Sequence, residues 1–300
     1  MEHENALSPQ GFVDQIGIEA ARGNRILATA MAGSLTALHL QAQTILQPFS
    51  ATAMAPDAVL YQGRATASGR NLLIAFTGRK NRLMLPLPLF LQDIDAATWD
   101  VLVLRDRSLS QFRNGCHGLA TSFPDLARRL AALAADYTAA AAIGTSMGGL
   151  PAIRLSLLTG SIRGISVGGS PPSDAARLLA GKDPGPAFDL ICACLPPARR
   201  DLLYVYGEDH AQDAEAARLC AGQTGGVLLP VPDHNRHFIL WQLHQSGRLG
   251  AFLQTVLDPG IGPAAMAKTL IRHGFGRSPL PALVRRVLRR VIRRVMRSLR

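Results

Sequence analysis

Aromatic residues are scarce in this 300-residue chain, at 5%, and a Leu/Ala/Val bias stands in their place. That composition suits helices packed on a buried sheet. There are four scattered cysteines, Cys116, Cys192, Cys194 and Cys220. Cys192-Ala-Cys194 is shorter than the usual zinc-pair spacing and has no second pair, so reduced thiols are expected and no metal site. A basic, apolar leader is missing as well, because Met1-Glu-His-Glu is acidic where a secretory n-region is basic. Nor is there a clean membrane-length apolar run. Ile26 to Leu46 comes nearest, but Thr29, Ser34, Thr36, His39, Gln41, Gln43 and Thr44 interrupt it, and a buried or amphipathic helix is the expected form. A cytoplasmic protein is expected.

Acidic residues are absent from the last twenty positions, and this decides how the net charge of +11 is read. Residues 281–300 hold Arg285, Arg286, Arg289, Arg290, Arg293, Arg294, Arg297 and Arg300. Subtracting those eight from +11 leaves +3 for the rest of the chain. The basic character therefore belongs to a tail and is no signature of a nucleic-acid-binding face.

Three segments are expected: a helical extension over 1–56, a main domain over 57–260, and a linker with a basic helix over 261–300. In the first, Ser8-Pro9-Gln10 offers a helix start, Gly23-Asn24 a break, and Pro48 and Pro56 bracket a linker. In the second, apolar runs alternate with helical patterns. Leu72–Phe76, Trp99–Leu104, Ala139–Ile143, Ile162–Val167, Leu202–Tyr206 and Val227–Val231 read as strands. A helix capped at Ser122 follows the second run, others follow Ser146 and Asp213, and Phe238–Leu257 reads as helix with a break at Ser246-Gly247. The Pro-rich stretch 173–200 reads as an insertion over one end of the sheet. This alternation predicts an α/β fold, a mostly parallel sheet covered by helices on both faces. Function in such sheets sits at the carboxyl ends of the strands.

The strongest local signal is Gly144-Thr-Ser146-Met-Gly148 at the end of the Ala139–Ile143 run, with a helical pattern after it. A strand turning sharply into a helix strains its turn residue, and side chains two positions either side must be minimal. That context makes Ser146 the candidate nucleophile. A serine needs a base, a carboxylate to orient the base, and donors for the developing oxyanion. Asp209 lies in the turn after Tyr204-Val-Tyr-Gly207 and is the expected orienter; Asp213, one step on, reads rather as a helix N-cap. His234 and His237 both precede the last helical run, and His237 is preferred because it stands at the helix entrance. The oxyanion donors are expected at the backbone N–H of Met147 and at that of Gly78 or Arg79, in the loop after Phe76. His117 and Arg236 are read as a loop-packing and a solvated residue.

Over roughly residues 57–257 the chain resembles the α/β-hydrolase superfamily. Within it the chain is similar to a bacterial subgroup with Phe76-Thr77-Gly78, Arg105-Asp106, Gly144–Gly149, Tyr206–Asp209 and His237…Gly247-Arg-Leu249 at matching positions. The resemblance implies a Ser146–Asp209–His237 triad and names no substrate, since one fold hosts many chemistries. At position 210 this chain has His where the subgroup has Asp.

In the tail, Leu283-Val284, Val287-Leu288, Val291-Ile292, Val295-Met296 and Leu299 recur at helical spacing between arginine pairs. A helix with one apolar stripe and one cationic face is expected to lie on an anionic membrane surface, or to dock on an acidic protein. Nucleic acid is the least favoured partner, because aromatic interleaving is lacking. The combined expectation is a serine hydrolase of the esterase or thioesterase kind, acting through an acyl-enzyme on a small-molecule, glycan or lipid acyl substrate without cofactor or metal, at a cytoplasmic location or at the inner face of the membrane. The alternatives are an acyltransferase to a glycan or lipid hydroxyl and a non-catalytic, membrane-associated scaffold.

Overall fold

The computed structural model describes residues 9–25, 28–29, 32, 49–63, 69–171, 201–232 and 234–275. The arginine-rich stretch 281–300, the insertion 173–200 and the Cys192-Ala-Cys194 pair lie outside them. Most of Ile26–Leu46 does too.

Eight strands form one sheet: β1 (Phe49–Ala55), β2 (Ala58–Gly63), β3 (Asn71–Phe76), β4 (Trp99–Leu104), β5 (Ala139–Thr145), β6 (Arg163–Val167), β7 (Leu202–Gly207) and β8 (Val227–Val231). Their spatial order is β1-β2-β4-β3-β5-β6-β7-β8. β2 is antiparallel to both its neighbours, and every pair from β4 onward is parallel. The mostly parallel sheet is as expected, but it starts earlier. β1 falls on the segment read as helical extension and linker. The turn at Pro56-Asp57 joins two strands where the two prolines suggested a spacer, because Ala and Thr alternating in Ser50–Met54 carry little apolar signal.

Successive residues of each central strand point to opposite faces. Leu73 and Ala75 of β3 join Val101, Val103, Ile143, Ile165 and Val205 in one core, while Leu72, Ile74 and Phe76 join Leu102, Leu104 and Ala142 in another. The first core is covered by α2 (Leu87–Gln92), α6 (Ile239–Gln245), α7 (Leu249–Leu257) and α8 (Pro263–Arg272). The second is covered by α3 (Phe123–Ala134) and α4 (Gly149–Thr159). α5 (Ala211–Thr224) packs with α4 over Tyr204 and Tyr206 on that same side. α1 (Pro9–Ala21) packs against α2 and β1 and ends just before Gly23 at φ +78°.

Local signals explain most helix ends. Ser122 Oγ accepts the Asp125 N–H at the start of α3. Gly160 and Gly225 end α4 and α5 in the left-handed conformation that favours glycine. The break expected at Ser246-Gly247 separates α6 from α7. The segment 261–300 is corrected at its start, since α8 belongs to the main body. Met266 and Leu270 of α8 are fully buried, and the Phe275 ring stacks on Phe252 with centroids 5.7 Å apart.

Candidate active site

Segments that follow β3, β5 and β8 line one cavity, and β5 delivers Ser146 to it. The strand ends at Thr145, which is fully buried, and the chain passes through the turn Ser146–Gly148 directly into α4. Ser146 has φ +53°, in the left-handed region, where an L-residue stores about 1–2 kcal/mol. Its neighbours permit the bend. A Cβ on Gly144 would lie 1.8 Å from the Gly148 carbonyl oxygen, and one on Gly148 would lie 2.2 Å from that of Phe76. The Ser170 N–H donates to the Ser146 carbonyl at 3.0 Å, tying the loop after β6 to the turn.

Opposite Ser146 stands the loop after β3. A Cβ on Gly78 would come within 3.2 Å of the Ser146 Cβ, so this glycine lets the two segments approach. The Gly78 N–H is already engaged, donating to the Arg82 carbonyl at 2.9 Å. Of the two amides expected from this loop, that of Gly78 is therefore committed to the turn. Among the described residues no acceptor engages the Arg79 N–H. Met147 is the second residue of the turn Ser146–Gly148, where the first amides have no intrahelical acceptor.

His237 follows β8 and lines the same cavity as Ser146. Its Nδ1 lies 3.0 Å from each carboxylate oxygen of Asp213. The expectation of Asp209 in that place is corrected. β7 ends at Gly207, and residues 208–210 make a tight turn in which the Asp209 N–H donates to the His234 carbonyl at 3.0 Å. The first turn of α5 then carries the buried Asp213 side chain to His237. Asp213 is not the N-cap either. That position belongs to His210, whose Nδ1 accepts the Asp213 N–H at 3.3 Å. The sequence signal for this was a cap-capable side chain three positions before an acid, with histidine in place of the usual Ser, Thr, Asp or Asn. Gly168, at φ +52°, closes over the pair: a Cβ there would lie 3.1 Å from Asp213 Oδ2 and 3.4 Å from the His237 carbonyl.

A carboxylate on Nδ1 selects the tautomer with the proton there and leaves Nε2 as the basic atom. His234 is engaged otherwise, its Nδ1 lying 2.8 Å from the Pro232 carbonyl in a buried position. The donor atoms of His210, Asp213 and His237 lie within 4.8 Å of one another, close enough to share a cation. Hydrogen bonds already draw on both imidazole Nδ1 atoms, and a cation would have to displace them.

The cavity holds about 530 Å³. Arg79, Lys80 and Arg82 line one wall, and Met84, Phe238 and Trp241 give it apolar surface. His117 lies elsewhere, exposed, 4.0 Å from the carboxylate of Asp57, which pairs with Arg107 at 2.7 Å. Asp106 is buried and accepts the Phe112 N–H at 2.8 Å, ordering the loop after β4. Burial pushes the Cys116 thiol up to about 12, so it is no rival nucleophile.

The strand order with β2 alone reversed, and the strained serine between β5 and its helix, decide the architecture. The chain has the α/β-hydrolase fold. No protein-family model and no curated protein matches the sequence. Solved structures similar to this α/β-hydrolase fold include LpqC, a poly(3-hydroxybutyrate) depolymerase from Bordetella parapertussis, at 14% identity, 73% of this chain, 94% of that chain and a TM-score of 0.47. Esterase B from Lactobacillus rhamnosis matches at 12% identity over 88% of this chain and 98% of its own, with a TM-score of 0.46. Dienelactone hydrolase from Anabaena variabilis matches at 16% identity over 75% and 95%, with a TM-score of 0.38. At these identities the chemistry of the site rests on its own geometry. Among the described residues, no helix is long and apolar enough to cross a membrane.

Proposed function

We propose that the protein is a serine hydrolase of the esterase or thioesterase kind, with Ser146 as nucleophile, His237 as base and Asp213 as its orienter. The observation that carries this reading is the pairing of a strained, cavity-facing Ser146 with a His237 whose Nδ1 is held by a buried carboxylate. His237 Nε2 takes the hydroxyl proton as Ser146 Oγ attacks the acyl carbonyl. The oxyanion forms beside the amides of Met147 and Arg79, whose fixed dipoles need no reorganisation as charge develops. The imidazolium, steadied by Asp213, returns the proton to the departing oxygen or sulfur. Water then repeats the sequence on the acyl-enzyme, freeing the acid and Ser146.

The test is labelling of the full-length protein with a broad fluorophosphonate, beside Ser146→Ala and His237→Ala. One label per chain, lost in both variants, is the expected result. A folded wild-type protein that takes no label overturns the reading.

A further inference from the structure

The wall of the Ser146 cavity is charged in one sense only. Arg79, Lys80 and Arg82 reach it from a single stretch of four residues, all three exposed, and no carboxylate is among its described lining residues. Among the described residues, none of the three cations has a salt-bridge partner. Elsewhere on the same molecule surface cations do find acids: Arg129 reaches Asp125 at 3.2 Å and Arg107 reaches Asp57 at 2.7 Å.

The backbone presents these cations in a fixed place. Asn81 and Met84 stand in the left-handed region, at φ +52° and +65°, within the same loop. The Arg82 carbonyl accepts the Gly78 N–H at 2.9 Å and the Thr145 hydroxyl at 3.2 Å, so the loop is fastened to the strand that delivers Ser146. Strain kept in this way concentrates at working sites. Phe238 supplies apolar surface to the same cavity at 50% exposure, and Trp241 is half-buried there. Unpaired cations along one side of a concave site focus its field on anions, while the apolar surface accepts a hydrocarbon chain.

We propose that the loop Arg79–Arg82 is a specificity element for acyl substrates that carry an anionic group, a carboxylate or a phosphate, at the end of a short apolar chain. The proposal rests on the hydrolase reading above and names its substrate class. The ester bond would sit at Ser146, the chain against Phe238 and Trp241, and the charged end among Lys80, Arg82 and the Arg79 side chain.

Three esters of equal length test it on the full-length protein: 4-nitrophenyl hydrogen adipate, its neutral methyl ester, and the 4-nitrophenyl ester of a phosphonoalkanoic acid. At low salt the charged esters should exceed the neutral one in kcat/KM by about tenfold or more, and the advantage should shrink as salt rises to about half-molar. The better of the two charged esters identifies the anion. Lys80→Gln with Arg82→Gln should bring the charged-to-neutral ratio close to one, mainly through KM of the charged ester; a purely structural defect would lower both rates and leave the ratio. Equal rates on charged and neutral esters, or a ratio indifferent to the substitutions, overturns the proposal. Titration of the Ser146→Ala protein with adipamate and with methyl adipamate keeps the two readings separable. Preferential binding of adipamate by a protein that takes no fluorophosphonate would sink the hydrolase reading and keep the anion site. No preference over methyl adipamate for adipamate or for the matching phosphonoalkanamide would sink the anion site whatever the esters do.

Discussion

Both carboxylate oxygens of Asp213 lie 3.0 Å from Nδ1 of His237, across a sequence separation of 24 residues. Neither oxygen is favoured, and the buried carboxylate holds the imidazole by a forked contact. The geometry makes Asp213 the orienting acid of the proposed triad, with Asp209 in the turn before it. Asp213→Asn should lower kcat on an activated ester by about three to four orders of magnitude while the fold persists. Asp209→Asn should stay within about threefold of wild type. Steady-state kinetics with circular dichroism as a folding control checks the pair; a larger loss at Asp209 would restore it as the acid.

Ser146 holds a left-handed conformation that glycine adopts without penalty. Ser146→Gly should therefore abolish fluorophosphonate labelling and raise stability by about 1 kcal/mol, read as a higher Tm. Gly148→Ala acts in the opposite sense, because its Cβ would meet the Phe76 carbonyl at 2.2 Å. A cost of about 2–4 kcal/mol is expected there. An unchanged Tm in Gly148→Ala would show that the elbow relaxes freely.

His210 caps α5 and in doing so fixes the turn that aims Asp213. Its Nδ1 also stands 3.2 Å from Asp213 Oδ1. While Nδ1 accepts the Asp213 N–H it cannot donate to that carboxylate, which is left to His237. His210→Ala should cost about 0.5–2 kcal/mol, and His210→Asn, which keeps a capping acceptor, should recover most of it. Denaturant titration of the two variants decides this, and equal stabilities would remove the cap from the account.

Asp93 sits at the C-terminal end of α2, and burial pushes its carboxyl up from 3.8 to about 6. Nδ1 of His244 stands 4.0 Å from Oδ2, too far for a hydrogen bond. The folded chain thus binds this proton more tightly than the unfolded chain does. Stability is lost as pH rises from about 4 through about 6, and the penalty is complete above that. Asp93→Asn should accordingly gain on the order of 1–2 kcal/mol at pH 7.5 and nothing near pH 3.5. Urea melts at the two pH values would expose the difference, and a gain at the acidic end alone would reverse the sign.

Much of the frame was legible because most central strands are largely apolar runs and most helices have a face or a cap. Leu72–Phe76, Trp99–Leu104 and Val227–Val231 carry that pattern plainly, and Ser122-Phe-Pro-Asp125 announces α3. β1 was not legible. Five of its seven residues are exposed, and Ser50–Met54 mixes small and polar types that fit a strand edge as readily as a coil. The short helix Leu87–Gln92 was also missed, since Leu-Pro-Leu-Phe-Leu is apolar on every side and has no period to read.

What the sequence determined by itself was the place of Ser146 in a strand-to-helix turn and of His237 before the last helical run. The crowding around a strand-to-helix turn is a local matter, so Gly144 and Gly148 mark Ser146 without any knowledge of the rest. The entrance to the last helical run marks His237 in the same local way. Which carboxylate meets His237, and which amide after β3 is already engaged, were decided only by tertiary structure. Asp209 and Asp213 differ by one helical turn, and which of them meets His237 depends on how α5 leaves β7 once His210 has capped it. Gly78 and Arg79 are adjacent, and only the folded loop shows that the Gly78 N–H goes to the Arg82 carbonyl, while the next amide has no acceptor among the described residues. Those choices turn on directions in space between segments far apart in the chain, which residue spacing does not carry.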